Sequence, residues 1–159
     1  MEDMDKRINE ILSILSEKNA KDNDRVTLLI ELSDLYDAEG KASEAFKYAA
    51  MSTIVTFSPR ADACCCLGGR YMVAGNYTWA LKWFNNALNN VSDCDKKYYT
   101  WLPILHIAQV HLLNLNIDEA YRYLNAADVL SPDNEYVKSF KLAIDEAAKN
   151  FSEKKIIFF

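Results

Sequence analysis

The side chains best equipped for chemistry in this 159-residue chain are four cysteines, two histidines and three tryptophans. Cys64, Cys65 and Cys66 are consecutive, and Cys94 stands apart in a later polar stretch. Three thiolates could hold a tetrahedral metal, but neighbouring residues of a helix point about 100° apart, so the triplet cannot converge on one ion without unwinding. The expectation is that these residues pack. Cys94 is expected to be an exposed free thiol, which suits a reducing compartment. His106 and His111 are five positions apart, which misses the i, i+4 spacing of paired helical ligands. Packing with one satisfied nitrogen is the expectation for His111. Trp79, Trp83 and Trp101 could stack on a sugar, since aromatic faces suit apolar sugar surfaces, yet such rings also fill gaps between helices, and that is the expected role. No nucleophile, base and pocket can be assembled from these residues. Neither a metal nor another cofactor is expected.

The charge balance narrows the partners further. Lys and Arg total 18 against 23 Asp and Glu, a net charge of −5, which argues against a nucleic-acid backbone as ligand. No apolar stretch approaches the ~20 residues that span a bilayer, and MEDMDKRINE lacks the layout of a signal peptide. A cytoplasmic protein with no membrane partner is expected, which would leave the sequons at Asn76, Asn90 and Asn150 unused.

What must position any functional side chain is a set of helices. Apolar residues recur at helical spacing from Ile8 to Leu15, and turn signals follow at regular distances. The spacing predicts a leading helix at 3–17 and a second helix from about 24 to 38, capped by Asp22 or Asn23 and ended by Gly40. A third runs from about 42 to 57, after which Ser58-Pro59 caps the fourth. Asn76 caps the fifth, about 77 to 89. The sixth, about 98 to 115, tolerates Pro103 only in its first turn. Asn116 and Glu119 resemble a capping box for the seventh. Ser131-Pro132 opens the eighth, with Tyr136, Phe140, Ala143, Ile144 and Ala147 as its buried stripe.

Ala45, Ala80 and Ala120 occupy matching frames, ASEAFKYAA, YTWALKWFNNA and IDEAYRYLNAA. A period of 35 to 40 residues made of two amphipathic helices marks a solenoid, in which each unit hides its apolar face by stacking on the next. Leu67, Gly68, Tyr71, Gly75, Tyr77, Ala80, Phe84 and Ala87 follow the tetratricopeptide pattern in order. Ile107, Ala108, His111, Ala120, Leu124, Ala127 and Pro132 repeat it, as do Leu32, Ser33, Tyr36, Gly40 and Ala45. The chain resembles a three-repeat tetratricopeptide domain. The implied fold is all-α, a right-handed α-α superhelix of about eight helices. Repeats are expected at about 24–57, 59–90 and 98–131, with a capping helix at 133–150 and domain limits of 1–150. In each repeat a small residue on the first helix (Ser33, Gly68 or Ala108) is expected to face an alanine on the second.

Two stretches resemble something narrower. PRADACCCLGGRYMVAGNYTWALKWFNNAL from Pro59 and YYTWLPILHIAQVHLLNLNIDEAYRYLNAADVLSPD from Tyr98 are similar to the tetratricopeptide region of bacterial family 2 glycosyltransferases, most specifically at Trp101-Leu102-Pro103. The catalytic domain of that family is missing, so no activity carries over to this segment. After the last helix the tail, 151–159, ends in Ile156, Ile157, Phe158 and Phe159. Two readings of it stand: a buried strand opening a following domain, or a hydrophobic tail folded back on the last helix.

By helical phase, the first helix of each repeat lines a concave groove with Thr27, Ile30, Asp34 and Asp37, then Asp62, Cys65, Gly69, Met72 and Val73, then Leu102, Leu105, Gln109, Leu112 and Leu113. Its acidic end is the opposite of the basic clamp that grips chaperone tails. The same charge speaks against the basic groove with which pentatricopeptide arrays bind RNA. The expected function is therefore non-catalytic: a module that binds protein or peptide, or positions flanking domains of a glycosyltransferase-like bacterial parent. The alternative is a free-standing adaptor that takes an apolar or basic peptide in the groove. A dimer partner or the C-terminal helix filling the groove stands beside both.

Overall fold

Alternating apolar and charged residues fold into helices wherever one stripe can be buried, and this chain does so nine times among its described residues. The computed structural model describes residues 2–17, 19–92 and 96–156. The chain divides into two compact units, Met1–Ser92 and Asp93–Phe159.

The first unit holds α1 (Glu2–Ser16), α2 (Asp22–Ala38), α3 (Ala42–Ser52), α4 (Ala61–Val73) and α5 (Tyr77–Asn89). Helices α2 and α3 form one hairpin and α4 and α5 the next. Ile8 and Ile11 of α1 are buried against Leu32 of α2, with Tyr48 of α3 beside them. Arg7 fixes the angle of α1 by a forked ion pair to Glu31, Nε to Oε1 at 2.6 Å and Nη2 to Oε2 at 2.9 Å. That hydrogen-bonded guanidinium holds the Glu31 carboxyl below its usual range.

The second unit holds α6 (Lys96–Tyr99), α7 (Leu102–Leu113), α8 (Ile117–Leu130) and α9 (Glu135–Ile156). Trp101, Leu105, Leu124, Val137 and Ile144 form its core. Pro103 lies in the first turn of α7, where its missing N–H breaks no hydrogen bond. The chain is irregular just before it, at Thr100 and Trp101.

The corners repeat one device. Gly40 and Gly75 both adopt φ of 73°, and Leu115 adopts 58°. At each corner the following residue closes a bond five residues back: Lys41 N–H to Tyr36 O at 2.8 Å, Asn76 to Tyr71 at 2.9 Å and Asn116 to His111 at 2.8 Å. These are Schellman closures of α2, α4 and α7. Two of the closing residues then cap the next helix. The Asn76 Oδ1 accepts from Trp79 N–H at 3.4 Å and the Asn116 Oδ1 from Glu119 N–H at 3.5 Å. Only that half of the expected capping box forms, since the Glu119 carboxylate pairs with Arg122.

Several helix ends differ from expectation. Helix α3 stops at Ser52, five residues early, where the β-branched run from Thr53 to Thr56 lowers helix propensity. The Ser52 and Thr53 hydroxyls turn back to donate to the carbonyls of Ala49 and Ala50 at 2.7 and 2.8 Å. Helix α2 begins after Lys21, so Asp22 is inside the first turn rather than capping it. Helix α4 starts after Arg60, one residue past the proline. Asn134, not Ser131, caps α9, its Oδ1 accepting from Tyr136 N–H at 2.9 Å. The buried stripe of α9 runs through Val137 and Ile144, while Tyr136 is 74% exposed. This helix continues to Ile156 rather than ending at 150. The remainder of the apolar tail, 157–159, and Cys94 lie outside the described residues. Among those residues no helix is long and apolar enough to cross a membrane.

Candidate functional site

In the first unit the predicted groove residues sit on α2 and α4. Asp34 and Asp37 are exposed on α2, and Ile30 is half-buried. Asp62, Cys65 and Met72 are half-buried on α4. The acidic end is not a free carboxylate surface, because each of its three aspartates meets an arginine. Arg70 ion-pairs with Asp34 at 2.6 Å and also with Asp37. Its Nε donates to Ser33 Oγ at 3.1 Å, and the Ser33 hydroxyl donates to Ala45 O at 2.8 Å. Arg60 pairs with Asp62 through Nε at 3.1 Å and reaches α2 by donating to Asn23 O at 2.7 Å.

Both arginines were absent from the expected groove. Arg70 follows Cys66 by one helical turn, so the phase that selects Asp62 and Cys65 grazes it. Its position opposite two aspartates depends on the distance between α2 and α4, which no spacing within one helix reveals. The result is a seam joining successive hairpins in which two arginines meet three aspartates, leaving one net negative charge.

The three consecutive cysteines are spread around α4 as helical geometry requires. Cys64 is fully buried, and burial pushes its thiol up to about 12. Burial also raises the thiols of Cys65 and Cys66. A thiol so displaced is a poor nucleophile and metal ligand at neutral pH. Among the described residues no group of three or more His, Cys, Asp or Glu side chains is arranged to hold a metal.

In the second unit Leu105 and Gln109 of α7 line a cleft of about 440 Å³ closed on its far side by α9. Leu102 and His106 continue the α7 wall, and Tyr136 and Phe140 form the other. Leu105 is its floor, only 3% exposed, and Leu112 packs half-buried against the same core. His106 Nδ1 lies 2.8 Å from Gln109 Oε1. Burial lowers the His106 pKa, so its imidazole is neutral at pH 7.

Two of the three tryptophans stack on neighbouring rings. Trp101 is 6% exposed and stacks on Tyr136, with ring centroids 6.5 Å apart. Trp79 lies between Tyr71, at 5.9 Å, and the Lys82 ammonium, at 4.3 Å. His111 stacks on Tyr123 at 5.3 Å.

Gly68 is buried where α4 meets α5. The three atoms nearest a β-carbon placed there all belong to Phe84, one turn beyond Ala80. Helix pairs with a buried small residue on one side (Ser33, Gly68 or Ala108) and Ala-x3-Ala, Ala-x3-Phe or Ala-x3-Leu on the other, closed by Schellman corners at repeating intervals, decide the architecture.

The fold is that of a tetratricopeptide-repeat domain. Comparison with solved structures agrees. The type III secretion chaperone SycD of Yersinia enterocolitica, solved in complex with a peptide of the translocator YopD, matches with a TM-score of 0.62 at 17% identity, over 87% of this chain and 99% of that one. An alternative dimer of the same chaperone matches with a TM-score of 0.63, also at 17% identity, over 87% and 98%. In the hetero-tetramer of Cut9 and Hcn1 from the APC/C, the match has a TM-score of 0.62 at 18% identity, covering 95% of this chain and 29% of that one. Sequence comparison finds no matching family and no matching curated protein.

Proposed function

We propose that this tetratricopeptide domain is a non-catalytic module that holds a partner protein through a short apolar peptide. The observation that carries the reading is the cleft between α7 and α9. Leu102, Leu105 and Phe140 give it apolar walls, and the side chains of His106 and Gln109 supply a polar edge able to fix a peptide's direction. The peptide bound by the chaperone of similar fold supports the assignment. Of the groove expected from sequence, we assign Gln109 to peptide contact, with Leu105 as the floor beneath it and Leu112 supporting the same core. Ile30, Asp34, Asp37, Asp62, Cys65 and Met72 flank the arginine seam of the first unit, and we assign them to a separate protein contact there.

We assign the module to the cytoplasm of a bacterium. The stretches beginning at Pro59 and Tyr98 favour a parent similar to a family 2 glycosyltransferase, in which the module positions flanking domains. That part of the proposal rests on sequence likeness, and the coding sequence on either side of the chain tests it.

Peptides selected by display against the immobilised domain, followed by titration, test the binding proposal. Leu102→Asp and Gln109→Lys should each weaken a selected apolar peptide by about tenfold, 1.4 kcal/mol, with the melting temperature of Gln109→Lys unchanged. Selected peptides that bind both variants as tightly as the parent would exclude this cleft.

A further inference from the structure

The five arginines of the chain are not equivalent. Arg7, Arg60, Arg70 and Arg122 each pair with a carboxylate. Arg25 has no carboxylate within 4.0 Å among the described residues. Its Nη1 is held by the carbonyls at the end of α1, Leu15 O at 3.2 Å and Glu17 O at 3.5 Å. Its Nε and Nη2 have no protein acceptor among the described residues. Lys47 is the same kind of cation: exposed, without a carboxylate partner among the described residues, and laid over the Tyr48 ring at 5.1 Å.

Arg25 and Lys47 stand on one rim. They border a cleft of about 540 Å³ in the first unit, formed by α1, α2 and the end of α3. Its floor and walls are apolar, with Leu12 and Leu15 from α1, Leu29 from α2, and Met51 and Ile54 at and beyond the end of α3. Met51 is 40% exposed and Ile54 78%. Asp22 also borders the cleft, so the rim carries two cations to one carboxylate.

We infer that this cleft is a docking site for an acidic amphipathic helix of a partner protein. Its apolar stripe lies on Leu12, Leu15, Leu29 and Met51, and its flanking carboxylates pair with Arg25 and Lys47. A trough walled by helices accepts the i, i+3, i+4, i+7 ridge of another helix. Arg25 is pre-positioned by the α1 carbonyls, so its free N–H groups are ordered before the partner arrives, which reduces the entropy lost on binding. The whole chain carries a charge of −5 and repels an acidic partner at long range. Recognition therefore depends on these two local cations, and added salt must weaken it less steeply than for an oppositely charged pair of proteins.

The test uses a fluorescein-labelled, end-capped helical peptide with leucines at i, i+3, i+4 and i+7 and glutamates on both flanks. A matched peptide with lysines in place of the glutamates is the control, and fluorescence anisotropy on the full chain is the readout. The glutamate peptide should bind at least about tenfold more tightly than the lysine peptide. Lys47→Glu, at an exposed site, should erase that preference, and Arg25→Glu together with Lys47→Glu should reverse it. Met51→Glu should weaken both peptides, and Gln109→Lys in the other unit should change neither. Equal binding of the two peptides by the parent chain, or an unaltered preference in Lys47→Glu, overturns the inference. So does light scattering that shows a dimer of the chain dissolved by Met51→Glu, which would give the cleft to a second copy. Because Gln109→Lys affects only the α7–α9 cleft, failure of this site and failure of the proposed peptide site are read separately.

Discussion

A β-carbon placed on Gly68 of α4 would stand 2.7 Å from Cε1 and 2.9 Å from Cδ1 of Phe84 on α5. Phe84 is fully buried, so its ring has little room to retreat. Overpacking of this kind costs about 1–3 kcal/mol, while alanine gains back about 1 kcal/mol of helix propensity. Gly68→Ala should therefore destabilise by about 1 kcal/mol net. Its neighbour reports the propensity alone, since nothing lies within 4 Å of a β-carbon at Gly69. Gly69→Ala should raise stability by up to about 1 kcal/mol. Urea denaturation of the pair decides the point, and equal shifts of the same sign would show that the Phe84 contact does not limit packing.

The corners offer a second comparison. Leu115 occupies a left-handed position that glycine fills at Gly40 and Gly75, and an L side chain there carries a steric penalty of about 1–2 kcal/mol. The Leu115 side chain is 71% exposed, so little packing offsets the strain. Leu115→Gly should stabilise the chain by about 1 kcal/mol, and Gly75→Ala should destabilise it by a similar amount. Thermal melts of both variants test this, and a destabilised Leu115→Gly would mean that the leucine makes a contact worth more than its strain.

The repeat itself was legible in the sequence because it is written in local periodicity. Ala80 and Phe84 are four apart, Gly40 and Gly75 mark corners, and Asn76 caps α5, all within single turns of chain. The groove was less legible for the opposite reason. Asp34 and Asp37 display their charge in the sequence, but Arg70 lies 33 positions beyond Asp37 and pairs with both only after two hairpins stack. Leu105 has the phase of a groove residue and is nonetheless core, because Leu124 of α8 and Val137 and Ile144 of α9 join the same cluster, which α7 alone does not encode. The end of α3 was overestimated because apolar residues after Ser52 continue a helical count while their β-branching opposes a helix.

Arg70 should be the most sensitive of the charged side chains. It is 14% exposed, bonds Asp34 and Asp37, and donates to Ser33, itself fully buried. Arg70→Met removes the cation, leaves two carboxylates facing each other and deprives the serine of a donor. A loss of about 1–2 kcal/mol is expected, between the values for exposed and buried ion pairs. Combining Arg70→Met with Asp34→Asn and Asp37→Asn should recover part of it, because the repulsion disappears. Chemical denaturation of the single and triple variants measures the difference, and a triple variant no more stable than the single one would place the loss in packing.

The pH response has a sign that follows from His106. Burial depresses its pKa below the ordinary 6.5, so the folded chain favours the neutral ring while the unfolded chain protonates normally. Its contribution is fully present above pH 6.5 and is lost as pH falls through that value toward the lower folded one. Glu31 acts in a separate, more acidic window. Its carboxyl is held below 4.5 by Arg7, so its contribution is lost only as pH falls below that value. Stability measured by urea midpoint should therefore decline between pH 7 and pH 5.5 in the parent chain. In His106→Gln, which keeps a polar group beside Gln109, the decline over that interval should be markedly smaller. An undiminished slope in the variant would assign the titration to another group, and a peptide bound in the α7–α9 cleft should steepen the parent's slope by drying the imidazole further.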